Sequence, residues 1–139
     1  MSYFKDIKVG DEIYGLVYGL GKVVRESDSY YRFEVEFENG HTVPYTIDGI
    51  PSWNTRLDYQ TVYYKNDIDV SEFDFSPNIN ELLTPKQIIK LRIKGKLLVK
   101  CRSDIWFPSD KCPIETIQDF LENNQLNRFK KKPELYDVC

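Results

Sequence analysis

Alanine is missing from this chain altogether, methionine and histidine occur once each, and there are three cysteines in 139 residues. Each scarcity closes off a class of protein. The single histidine, His41, and the widely spaced Cys101, Cys112 and Cys139 form no Cys-x-x-Cys pair, so no structural zinc site is expected. An odd number of cysteines does not make a disulfide framework, so reduced thiols and a cytoplasmic location are expected. There is no run of about 18 apolar residues, so no membrane span is expected. The N-terminus, MSYFKDIKVGDE, has neither the basic start nor the apolar middle of a secretory signal.

A catalytic set is also missing. His41 stands beside a turn signal, and no acidic residue falls in a hydrolytic motif. A Cys–His pair with Cys101 or Cys112 is conceivable, since contact in space does not need adjacency in sequence. Gly19 and Gly21 form a Gly-x-Gly, but Val24 stands where a phosphate loop has its third glycine, and a strand follows instead of a helix. The chain is therefore expected to be non-catalytic, without cofactor or metal; an enzyme with an unrecognised site is the alternative. The lack of alanine beside plentiful Asn, Asp, Ile, Lys and Tyr fits AT-rich coding, from which an AT-rich bacterium or a phage or mobile element is expected as the source.

What is present describes a folded chain. It is 41% hydrophobic and 29% charged, which places it among globular sequences. The net charge of −3 hides a division: residues 1–80 hold 7 Lys+Arg against 14 Asp+Glu, residues 81–139 hold 12 against 8. A change of architecture near residue 80 is expected. The acidic first part is a poor footprint for duplex DNA, which needs clustered Lys and Arg.

Residues 9–50 read as four or five short strands with tight turns. In RFEVEFENG, Phe33, Val35 and Phe37 share one face and Arg32, Glu34, Glu36 and Glu38 the other. Asn39-Gly40 predicts a type I′ hairpin turn with positive φ at both residues. In HTVPYTI, Pro44 has no N–H to donate, so that strand is expected at an edge or with a bulge. Gly19 and Gly21 are read as a bend between the first two strands.

The pattern Gly10-Asp11-x-Ile13, Tyr18-Gly19-x-Gly21-x-Val23 and Val35-x-Phe37-x-Asn39-Gly40 resembles the small SH3-like or Tudor-like barrels. Similar segments occur in the Tudor-like tail of bacterial repair helicases. They also occur in the RNA-polymerase-interacting domain shared by transcription-repair coupling factors and a family of bacterial transcription regulators. The resemblance covers residues 7–50 and implies a docking surface, not a catalyst.

Beyond it, residues 51–80 read as an acidic, aromatic-containing connector, with one strand near Thr61–Tyr64 and anchors at Trp53, Tyr59, Phe73 and Phe75. Asp67, Asp69, Glu72 and Asp74 lack the central glycine of a calcium loop. Thr84-Pro85 predicts a helix start, with Lys94-Gly95 as its stop. A strand is expected over KLLVKCR, and a loop over Asp104–Asp110. Pro113 opens a second helix with Ile114, Ile117, Phe120 and Leu121 on one stripe. The tail, RFKKKPELYDVC, is expected to fray.

The fold class expected is therefore α+β: an SH3-like antiparallel barrel at 1–50, a connector at 51–80, and a basic α+β region at 81–139 with two short helices, packed on the barrel. Two sets of residues are candidate contacts. Tyr14, Tyr18, Tyr30 and Tyr31 suit a protein partner, because aromatics bring large area at low entropic cost. Half of them could equally cover the ends of a small core. Lys86, Lys90, Arg92, Lys94, Lys96, Lys100 and Arg102 form a run without an acid, suited to nucleic acid or an acidic partner, or to a solvated face. The function expected is that of a small interaction protein that binds and modulates a larger host protein, in transcription or defence. The alternative is a nucleic-acid-binding accessory.

Overall fold

Residues 12–46 fold as a meander because short turns follow strands whose side chains alternate between apolar and polar. The strands are β1 (Glu12–Gly15), β2 (Gly19–Glu26), β3 (Tyr31–Phe37) and β4 (Thr42–Thr46). A fifth, β5 (Val62–Tyr64), returns to pair with β1, so the antiparallel sheet has the order β4-β3-β2-β1-β5. The computed structural model describes residues 2–53, 57, 59–68, 83–100 and 105–132. The chain divides into two compact units, Met1–Ile68 and Asp69–Cys139.

In the first unit the sheet curls into a half-barrel. Ile13, Val23, Phe33, Val35, Phe37, Val43, Tyr45 and Val62 are all buried, and the strand registers place them on one face. The other face carries Glu12, Lys22, Glu34 and Glu36, with Arg25 and Glu34 3.4 Å apart. That exposed pair contributes little to stability.

Two turn details differ from expectation or extend it. The β3–β4 loop spans three residues, with Phe37 and His41 bonded across it at 2.8 Å and only Gly40 at positive φ. Asn39 is not at positive φ; its Oδ1 accepts from the His41 N–H at 3.1 Å. The turn is thus a type I turn closed by a glycine bulge, not type I′, because the side-chain bond to His41 holds the longer loop. Pro44 lies on the edge strand β4, as its missing N–H requires.

A half-barrel leaves a gap between its edges, and two features stitch it. Thr61 donates from both its N–H and its hydroxyl to the Gly49 carbonyl, each at 3.1 Å. The N-terminal segment bridges the rest: Phe4 N–H donates to Ile47 O at 3.0 Å, and the Tyr64 N–H donates to the Tyr3 hydroxyl at 3.2 Å. That hydroxyl in turn donates to Asp67. Burial, then the Asp67 bond, push the Tyr3 pKa well up. Phe4 is fully buried against Phe33 and Tyr64. Residues of the expected connector, Pro51 and Val62–Tyr64 among them, therefore belong to the first unit's sheet. Asp69, Glu72, Phe73, Asp74 and Phe75 lie outside the described residues.

In the second unit, α1 (Pro85–Ile93) starts where Thr84-Pro85 places it. Thr84 Oγ1 accepts from Gln87 N–H, and Gln87 Oε1 accepts from Thr84 N–H, a reciprocal cap worth about 1 kcal/mol. A sheet of order β7-β6-β8 follows, from β6 (Leu97–Lys100), β7 (Trp106–Pro108) and β8 (Phe129–Lys131), with α2 (Ile114–Glu122) between β7 and β8. Two expectations are corrected here. Trp106 and Phe107 belong to a strand, not a loop, because β6 offers them a pairing edge. Residues 129–131 of the tail form a strand instead of fraying, since Phe129 and Lys131 alternate onto the buried face. Leu97, Val99, Phe129 and Lys131 make up that face, and Phe120 of α2 meets Phe129 edge-on at 6.2 Å. The class is α+β.

Candidate functional site

The four tyrosines do not form one patch. Tyr18 is 6% exposed and stacks on Phe37, centroids 4.9 Å apart and planes at 24°. This overturns its reading as a contact residue. The β1–β2 turn folds inward, with Leu16 and Val17 buried as well, so Tyr18 is a core side chain. Tyr14 lies half-buried on the outer face, opposite Tyr63 and Leu20. Tyr30, at the β2–β3 turn, is 73% exposed and meets half-buried Tyr31 edge-on at 5.0 Å.

That turn is held without glycine. Ser27 N–H donates to Arg32 O at 2.8 Å, Ser27 Oγ to Ser29 Oγ at 2.9 Å, and Ser29 Oγ to Tyr31 O at 3.1 Å. The serine hydroxyls take the place of backbone turn bonds. Tyr30 is thereby presented on a fixed loop with exposed Glu26 and Asp28 beside it.

The basic run is split by the fold. Lys86, Lys90, Arg92 and Lys94 belong to α1 and its C-cap, where burial lowers the Arg92 pKa. Lys96 and Lys100 alternate with buried Leu97 and Val99, so they lie on the opposite, half-exposed face of the sheet. Arg102 lies outside the described residues. The fold adds residues that the sequence reading did not join to them. Register places Leu98 beside Pro108 and Lys130, Lys100 beside Trp106, and the Lys132 N–H bonds Lys96 O at 3.0 Å. Lys130 Nζ lies 4.3 Å and Lys100 Nζ 5.6 Å from the Trp106 ring centroid. Each of the three strands thus gives one side chain to this cluster. The available signal was the even spacing of Lys96 and Lys100 and of Lys130 and Lys132, which puts each pair on one strand face.

A third feature is an open groove of 780 Å³ near the start of α2, lined by charges of both signs, Lys111 and Arg128 against Glu115 and Asp119. Half-buried Cys112 lies in its wall. His41 is exposed, its ring 5.2 Å from that of Tyr18. Among the described residues, no group of three His, Cys, Asp or Glu is placed to hold a metal ion. No described helix is long and apolar enough to cross a membrane. Comparison with family models, curated proteins and solved structures finds no match.

Proposed function

We propose that this chain is a non-catalytic interaction protein whose first unit, a small SH3-like barrel, docks on and modulates a larger protein. The observation that carries this reading is Tyr30, 73% exposed at the tip of a turn fixed by serine bonds. A large aromatic on an already ordered loop can be buried by a partner at low entropic cost. The neighbouring Glu26 and Asp28 favour a partner surface with basic residues around an apolar pocket. Supporting the barrel reading, Gly10, Gly19 and Gly40 of the quoted pattern all sit at positive φ, where the curled meander turns.

The test compares wild type with Tyr30→Ser. Tyr30 contributes little to the core, so the melting temperature should stay within about 1–2 °C, on the scale of a surface change. In pull-downs from bacterial lysate, a specific protein retained by the wild type should be lost with Tyr30→Ser. An identical retained set for both proteins would sink the proposal.

A further inference from the structure

We propose that the half-exposed sheet face of the second unit binds single-stranded nucleic acid, with Trp106 as the stacking platform and Lys96, Lys100, Lys130 and Lys132 as phosphate contacts. This site is independent of the tyrosine surface. The face consists of Lys96, Leu98, Lys100, Trp106, Pro108, Lys130 and Lys132, and no described position on it is acidic. The four lysines lie on or beside the neighbouring strands β6 and β8, and Trp106 lies on β7. Lys96 and Lys100 alone span about 13 Å along β6, enough to follow a short run of backbone.

The chemistry of the indole narrows the ligand. Lys130 and Lys100 rest near the face of the ring at 4.3 and 5.6 Å, where a base would stack. Such contacts are weak at exposed sites, and flexible lysine stems can swing aside to meet phosphates flanking the stacked base. The carboxylates of an acidic peptide would satisfy the lysines but offer the ring no extended π-face to stack on. A duplex keeps its bases stacked on each other, and a flat three-stranded face does not enter a groove. An aromatic beside cations on a sheet is the combination that single strands use.

The test titrates the full chain into fluorescently labelled oligo-dT and oligo-U of about 12 nucleotides, and into a duplex of the same length, by anisotropy. Single strands should bind more tightly than duplex, and the dT and U arms tell DNA from RNA. With three or four phosphates neutralised, affinity should fall roughly 20- to 50-fold between about 50 and about 200 mM salt. Trp106→Ala should weaken binding roughly tenfold or more with the salt slope unchanged. Lys130→Gln with Lys132→Gln should flatten the slope by about 1.4. If Trp106→Ala fails to fold, Trp106→Phe, which should keep most of the affinity, and the lysine pair still decide. The proposal is overturned if no single strand binds at low salt. It also fails if folded Trp106→Ala and the lysine pair bind with wild-type affinity and slope.

Discussion

Gly21→Val is expected to unfold the first unit, and Gly21→Ala to damage it nearly as much. Gly21 is not at positive φ; its restriction is space. A Cβ there would lie 2.7 Å from Phe37 Cδ1, 2.7 Å from Val35 Cγ1 and 2.9 Å from the Glu36 carbonyl oxygen. The first two neighbours are core side chains and the third is backbone, so β3 itself would have to move away from β2. Overpacking costs about 1–3 kcal/mol where side chains can give way, and more where the backbone must move as it must here. A unit of this size has roughly 3–10 kcal/mol in total. Gly19 supplies the contrast. Its φ is +86° and nothing lies within 4 Å of its added Cβ, so backbone conformation is its only restriction. Gly19→Asn should then be mild, because Asn tolerates the left-handed region, while Gly19→Val should cost about 1–3 kcal/mol. Thermal melts of the four variants check this. A Gly21→Ala melt equal to wild type would mean that β2 and β3 do not approach as described.

A fragment of residues 1–68 should fold alone, and one of residues 1–50 should not. The shorter fragment keeps all of β1 to β4 but loses β5, which pairs with β1 at Ile13, Tyr14 and Gly15. It also loses Thr61, whose two bonds to Gly49 join the sheet edges, and the Tyr3–Tyr64 contact. Buried Val62 and Ile68 go with it. Burial of such side chains contributes about 1.5–3 kcal/mol each. With two hydrogen bonds at about 1 kcal/mol each, the loss approaches the whole stability of the unit. Circular dichroism and amide dispersion in NMR separate the outcomes. A cooperative melt from the 1–50 fragment would show that β5 is an accessory.

The parts of this fold that were legible in the sequence are those set by local chemistry. RFEVEF shows its two faces directly, Thr84-Pro85 places α1, and Pro44 announces an edge. What could not be read depends on register between distant segments. The need for Gly21 arises on β3, and appears only once Gly21 is known to face Phe37, sixteen positions away. Tyr18 was misread because turn residues ordinarily meet water, and only the inward fold of this turn onto Phe37 buries it. The strand β8 was hidden by its lysines, since nothing local says that the Lys131 stem will lie on the buried face. Trp106 and Lys130 are 24 positions apart in the chain, so their meeting is a property of the sheet order alone.

The stitched seam of the half-barrel sets an order of events in time. Strands β1 to β4 meet their neighbours through short turns, so their closure entropy is small. Tyr3 and Tyr64 are separated by 61 positions, and Thr61 and Gly49 by 12. The meander should therefore condense first, with the N-terminal hook and β5 locking afterwards. The same seam should open somewhat more readily than the meander in the native protein, and the open form should be short-lived because β1 to β4 are not stable without it. Native-state hydrogen exchange would register this as faster exchange at Phe4, Thr61 and Tyr64 than at Val23 and Val35. Uniform protection across these amides would instead make the unit a single cooperative block.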